Sequence, residues 1–244
     1  AGGVHFRVSA NMVYAVPRDI RESETAHAYA YQYRQGKVSD AIFGLVAEGL
    51  FKDQADIDSH AQQSFGAVRP GDIKYKDING DGVINQDDQI QIGNSHARFQ
   101  YCISLDLRWK GFELFALGNA QTGRSLYYNS SYYWIYGDEK YTSAVLNRWT
   151  PETAATATYP RLTTTNGSNN FRNSTYWLYS DNYLNLTRTQ LTYTIPPKLV
   201  WKGLQVYVRG ENLFTLSPTR KMRELNVGQA PQMANYMLGL VGSF

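Results

Sequence analysis

The densest chemistry in the chain lies in the twelve residues Asp77-Ile78-Asn79-Gly80-Asp81-Gly82-Val83-Ile84-Asn85-Gln86-Asp87-Asp88. Oxygen-bearing side chains stand at loop positions 1, 3, 5, 9 and 12, with glycine at position 6. That is the spacing of an EF-hand-type calcium loop, with Asp instead of Glu in the last place. Ca²⁺ takes about six to eight hard oxygen ligands, and alternate residues of a tight loop can aim at one ion. The expected ligands are the side chains of Asp77, Asn79, Asp81, Asn85 and Asp88 and the carbonyl of Val83. Such an ion pins a loop and catalyses nothing, and isolated loops of this kind bind with a Kd of about 10⁻⁴–10⁻³ M. The plainer alternative is a polar turn, because Asp, Asn and Gly favour turns anyway.

The loop is not held between helices. Ile73-Lys74-Tyr75-Lys76 before it and Ile90-Gln91-Ile92 after it read as short extended segments. Strict alternation marks the longer strands. From 98 to 109 every odd residue is apolar (Phe99, Tyr101, Ile103, Leu105, Leu107, Trp109), and every even one is polar or small. Val4, Phe6, Val8, Ala10, Met12, Tyr14 and Val16 repeat the pattern, as do Leu204, Val206 and Val208. Period two means a half-buried strand. Candidate strands fall at about 4–16, 38–50, 97–109, 112–121, 183–195, 204–215 and 235–244. Their length exceeds the globular mode and suits a tilted strand crossing a bilayer, with apolar side chains to lipid and polar ones to a lumen. The connections alternate in length. Lys110-Gly111 and Pro196–Gly203 are short, whereas about sixty residues separate the strands at 112–121 and 183–195. Alternation alone does not separate such strands from those of a soluble β-sandwich; the alternating connection lengths shift the expected fold class toward an all-β, antiparallel transmembrane barrel with long loops at one end.

Composition narrows the function. The chain has 244 residues and a net charge of +3, and 18% of its residues are charged. That charge is too small and too dispersed for a nucleic-acid partner. No apolar run is long enough for a transmembrane helix. The lone Cys102 forbids an internal disulfide. His5, His27, His60 and His96 lack paired ligand spacing, and no nucleophile elbow or Gly-rich phosphate loop appears, so no enzyme and no organic cofactor is expected. Aromatic residues make up 14% of the chain and include 19 tyrosines. Tyr132, Tyr133, Trp134, Tyr136 and Trp177, in the long 122–182 segment, are candidate contacts for a sugar ring or a partner; loop self-packing and an interfacial girdle are the alternative. The Thr and Asn residues of 163–175, Asn169 and Asn170 among them, read as solvated loop.

Five stretches together resemble the carboxyl-terminal part of the SusC/RagA family of TonB-dependent outer-membrane transporters. They are Phe43–Phe51 with Gln54–Asp58, Pro70–Asp88 closed by Ile92-Gly93-Asn94, Trp109–Leu114, Tyr183–Pro196, and Gln205–Thr215. They follow the family's order and spacing over about residues 38–244. Asn94-Ser95 departs from the family's Asn-Pro, and Thr187-Arg188-Thr189 replaces an Arg-Asn-Val. The resemblance implies a barrel of about 22 strands plugged by an amino-terminal domain. Residues 1–244 would then form part of that barrel, with the 77–88 loop and the 122–182 segment extracellular, and with plug domain and signal peptide outside this chain. It further implies nutrient import across the outer membrane of a Gram-negative bacterium. The partners would be a SusD/RagB-like surface lipoprotein, TonB (through the missing amino-terminal part), membrane lipid, and an oligosaccharide or oligopeptide. Phe244 would be the assembly signal. The alternative is a secreted β-sandwich binding module with a dockerin-like calcium loop.

Overall fold

The computed structural model describes residues 3–164, 169–197, 203–225 and 230–243. Its largest sheet is an antiparallel meander of six strands: β1 (His5–Tyr14), β2 (Phe99–Trp109), β3 (Phe112–Thr122), β4 (Tyr183–Ile195), β5 (Gly203–Leu216) and β6 (Asn235–Ser243). Sequence neighbours are spatial neighbours throughout, and the sheet is open, with β1 and β6 at its edges. The alternation read from the sequence sets the register. Phe6 stands opposite Leu107, Leu107 opposite Leu114, Leu114 opposite Leu191, Leu191 opposite Val208, and Val208 opposite Leu238. One apolar row thus crosses all six strands. The row beside it, on the other face, runs Arg7, Asp106, Phe115, Gln190, Arg209 and Met237.

The apolar face is uncovered. Ile103 is 50% exposed, Val208 54% and Leu240 70%. A sandwich would bury such a face against a second sheet, so the secreted-module alternative finds no support here. Aromatic side chains gather at both ends of the face. Phe112 and Tyr193 lie 4.6 Å apart beside Trp109 at one end, and Tyr14 and Phe99 lie 4.6 Å apart at the other. From Phe99 to Trp109 the strand is about 33 Å long at ~3.3 Å per residue. At a tilt of about 40° that covers about 25 Å of depth, the height of a lipid-facing band between aromatic girdles.

Local chemistry closes the meander. Lys110 (φ 47°) and Gly111 (φ 84°) both sit in the left-handed region. That is the two-residue hairpin whose twist matches its strands, and it accounts for the shortness of this turn. In β4, Leu186 faces Gly118 while Arg188 faces Leu117, so Thr187 is an extra residue. The bulge is matched in β5 by Asn212, held at φ 54°. Its polar side chains are tied together: Thr187 Oγ1 donates to Asn119 Oδ1 at 2.9 Å, and Asn185 Nδ2 to Asn212 Oδ1 at 3.3 Å. The Arg188–Glu211 ion pair (3.1 Å) occupies the polar face beside it.

The strand expected at 38–50 does not join the sheet. It splits into Ala41–Gly44, paired with Ile90–Asn94, and Ala47–Leu50, paired with Ile73–Tyr75. The physical reason is local. Gly44 packs so close to the Asn173 carbonyl that a Cβ would lie 2.5 Å from it, and Gly49 takes φ 126°. In consequence residues 16–96 form one long connection between β1 and β2. Residues 16–96 and 125–179 make up a second compact unit, and the six strands with their short links make up the first. Phe244 lies outside the described residues.

An Arg placed at Ile103, on the apolar face, is expected to cost about 2–4 kcal/mol in a bilayer if it lies at the midplane. Ser104→Arg, on the polar face, should cost little. Denaturant unfolding of the full-length barrel in lipid measures both, and equal tolerance at the two positions would refute a lipid-facing apolar surface.

Candidate functional site

Two glycines in the left-handed region, Gly80 (φ 76°) and Gly82 (φ 83°), fold the acidic loop back on itself. The acidic side chains turn inward onto the loop's own amides. Asp77 Oδ1 accepts from the Gly80 N–H (2.7 Å) and Oδ2 from the Gly82 N–H (2.8 Å). Asn79 Oδ1 accepts from the Asp81 N–H, and Asp81 Oδ1 from the Val83 N–H. Asp88 is fully buried and closes the ring: Oδ1 accepts from the Ile78 N–H (2.7 Å) and Oδ2 from the Asn85 N–H (2.8 Å). Asn85 caps the following turn through the Asp87 N–H. Val83 lies in a two-residue strand paired in parallel with Gln62 and Gln63. The amide of Gly82, ahead of the other backbone donors, holds the Asp77 carboxyl below its ordinary pKa, and the Asp88 carboxyl also lies within hydrogen-bonding reach of it.

One partner of this loop left no mark in the sequence pattern. Tyr29 and Tyr31 stack with ring centroids 5.2 Å apart. Tyr31 donates its hydroxyl to the Asp87 carbonyl (2.7 Å), Gln32 donates to Asp87 Oδ1 (3.1 Å), and Asn79 donates to the Tyr29 hydroxyl. Desolvation, then the charge of Asp88, raises the Tyr31 pKa. An aromatic strap thus covers one side of the acidic loop. Tyrosine within a stretch lacking periodicity gives no signal that it covers a loop about fifty residues away.

The second unit has its own core, formed by Leu45, Ile73, Tyr75, Ile84, Ile135, Val145, Tyr159, Phe171 and Trp177. Of the candidate aromatic contacts, Trp177 belongs to this core. It is 3% exposed and donates Nε1 to the Asn170 carbonyl at 2.7 Å, so neither ring face is open to a ligand. Trp134 and Tyr136 pack on Phe171, with centroids 5.8 Å and 5.3 Å away. Tyr133 packs on Tyr128, and Tyr132 exchanges a hydrogen bond with Ser143 (2.7 Å). These four are partly exposed.

The reading of 163–175 as solvated loop is overturned at Asn169 and Asn170, which are almost wholly buried. Asn169 accepts from Gln63 Nε2 (2.6 Å) and donates to the Ile73 carbonyl (2.7 Å). Asn170 accepts from the Ile73 N–H (2.8 Å) and donates to Asp72 Oδ1 (2.8 Å). Arg161 neutralises the buried Asp72 at 2.7 Å. The side-chain amides here complete the backbone pairing of Ile73–Tyr75, and this seam stitches segment 41–94 to segment 125–179. Tyr75, buried in it, donates its hydroxyl to the Asn169 carbonyl, and burial pushes its pKa far up.

No family model matches the chain. The TonB-dependent receptor P26 of Formosa agariphila is 28% identical over 191 residues, covering 76% of this chain and 19% of the receptor. The TonB-dependent receptor P3 of the same organism is 26% identical over 188 residues, covering 75% of this chain and 18% of the receptor. Solved structures of the RagAB peptide importer superpose with a TM-score of 0.69 over 99% of this chain. Those structures include the open-open state, at 19% identity, and the closed-closed state, at 21%, and 27% of their chain is covered. In fold the chain matches a section of the RagAB importer's barrel, and in sequence it is similar to TonB-dependent receptors. It spans under a fifth of the length of the curated relatives it matches. The relatives are named as receptors and the structural neighbours as an importer; none of these is named as an enzyme. Its six-stranded sheet matches part of a barrel wall in fold, with one apolar face left uncovered.

Asn170→Ala leaves Asp72 Oδ1 and the Ile73 N–H short of a partner in a dry interior, a loss of about 1–3 kcal/mol. Thermolysin digestion of the full-length receptor should then cut within residues 41–94 and 125–179 at lower temperature than in the wild type. The strand content by circular dichroism should be unchanged.

Proposed function

We propose that the whole receptor imports nutrient oligomers across the outer membrane, driven by TonB and working with a SusD/RagB-like surface lipoprotein. The observation that carries this reading is the uncovered apolar face of the six-stranded sheet, bounded by aromatic girdles and matched in fold to an importer over nearly its whole length. On this reading the second unit is extracellular, because both of its segments leave the sheet at the end opposite the Lys110-Gly111 hairpin. The cargo is an oligopeptide or an oligosaccharide. The partly exposed Tyr132, Tyr133, Trp134 and Tyr136 suit stacking on cargo or contact with the lipoprotein.

The test is a chromosomal deletion of the full-length gene in its own host, followed by growth on protein hydrolysate or on polysaccharide as sole nutrient. The protein should fractionate with outer membranes, and the deletion should abolish growth on one nutrient class. A protein found in the soluble fraction would overturn the reading.

We further propose that the acidic loop holds a structural Ca²⁺. The donor set fits a hard cation: three carboxylates (Asp77, Asp81, Asp88), two amide oxygens (Asn79, Asn85) and the Val83 carbonyl. Each carboxylate oxygen that accepts an amide N–H keeps another lone pair. Among the described residues no three His, Cys, Asp or Glu side chains group as ligands, so the three carboxylates would meet only as a bound ion draws them together. When bound, the ion supplies charge neutralisation and loop rigidity, and it takes part in no reaction. Tb³⁺ titration of the purified receptor, with luminescence sensitised by Tyr29 and Tyr31, should report a site displaced by Ca²⁺ in the 10⁻⁴–10⁻³ M range, about that of extracellular loops. The Asp77→Ala/Asp81→Ala double variant should lose the signal while keeping the barrel folded. A signal retained in that variant would sink the assignment.

A further inference from the structure

The chain leaves the barrel wall after Arg124 and returns at Ser180. Both crossings are tied together on the wall side. Asp181 N–H donates to the Arg124 carbonyl (2.8 Å), and Gly123 N–H donates to Asn182 Oδ1 (2.8 Å). Between them lies the buried carboxylate of Asp181. Arg124 reaches its Oδ2 at 3.2 Å, Gln121 donates to the same oxygen at 2.9 Å, and Arg223 takes Oδ1.

Arg223 comes from elsewhere. It sits on the one-and-a-half-turn helix Arg220–Leu225, in the connection from β5 to β6. The start of that connection lies along the returning strand. Ser217 Oγ donates to the Asn182 carbonyl (2.8 Å), Thr219 Oγ1 to the Ser180 carbonyl (3.2 Å), and the Arg223 guanidinium covers the Tyr183 ring at 3.8 Å.

The charge arithmetic decides what this arrangement can do. A buried carboxylate stripped of its only cation is strongly destabilising. Asp181 has two cations and a side-chain amide. If Arg223 withdraws, Arg124 and Gln121 still hold the carboxylate, while Arg223 regains water. The attachment of the 217–225 segment is thus the dispensable half of a doubly compensated pair, and the wall does not depend on it.

We propose that residues 217–225 form a releasable strap, latched by Arg223 on Asp181, over the point where the chain crosses from the barrel wall to the second unit. Closed, the strap clamps the crossing at Ser180–Asn182. Open, it withdraws the Ser217, Thr219 and Arg223 contacts from Ser180–Tyr183, while the bonds from Asp181 to Arg124 and from Gly123 to Asn182 keep the wall paired. This device stands on the geometry of the wall alone and is independent of cargo and of calcium.

The test uses the full-length receptor in detergent micelles. Trypsin cleavage after Lys221, followed by mass spectrometry, reads strap opening, and the temperature at which the heat-modifiable band shift occurs reads wall stability. Arg223→Ala should speed the cleavage at least tenfold with the band shift unmoved. Arg124→Ala should also leave the band shift unmoved, because Arg223 remains. The double variant Arg124→Ala/Arg223→Ala strips both cations, so its band shift should fall by far more than the two single shifts combined. An unchanged cleavage rate in Arg223→Ala overturns the strap. A wall destabilised as much by Arg223→Ala alone as by the double variant shows a plain structural pair and also overturns it.

Discussion

Hydrocarbon offers a peptide group nothing to bond with, and that single deficiency orders the barrel wall. Each N–H and C=O within the bilayer must be met sideways by the next strand, since an unmet group there costs several kcal/mol. Pairing of this kind fixes register, and register fixes which side of the wall every side chain occupies. The row from Phe6 to Leu238 is therefore one object made by six separated segments of sequence. The mixed row on the other face follows from the same register. So does the tolerance of a bulge at Thr187: the extra residue is absorbed on the lumen side, where Asn119 receives its hydroxyl.

The second unit obeys a different solvent. In water a long connection must find its own core or remain disordered. Here two connections, neither apolar enough alone, share one. Their joint is polar: Gln63, Asn169, Asn170 and Asp72 do for Ile73–Tyr75 what a neighbouring strand would do in a sheet. Side-chain amides substitute for backbone because each offers both a donor and an acceptor. The arrangement is rigid only if fully satisfied, which is why Arg161 must accompany Asp72 into the interior.

This difference in solvent explains what the sequence could reveal. Period-two alternation is a statement about two faces meeting two media, so it found β1, β2 and β5 closely and placed Ile103 and Leu105 on one apolar face. A continuous strand is expected at 38–50, but the apolar run Ala41–Ala47 is broken as Gly44 and Gly49 bend the chain into two short pairings inside the second unit. Asparagine looks like solvent when read alone, and nothing local distinguishes Asn170, buried under Trp177, from a loop residue. The acidic loop was visible because its ligand spacing lies within twelve residues. The strap of Tyr29, Tyr31 and Gln32 that covers it was not, because that contact spans about fifty residues with no periodicity to announce it.

The hairpin at Lys110-Gly111 has an evolutionary corollary. With two residues, both left-handed, and strands paired up to Trp109 and Phe112, it has no slack in which a residue could be gained or lost. A codon inserted within a strand would swap lipid for lumen along the remainder of that strand, and a bulge such as that at Thr187 is a rare compromise. Insertions and deletions can accumulate at the opposite end, where a connection answers only to its own core. A lineage of such barrels would therefore keep the metre of its strands and rewrite its long connections, changing what it presents to the outside world while the wall drifts by substitution alone.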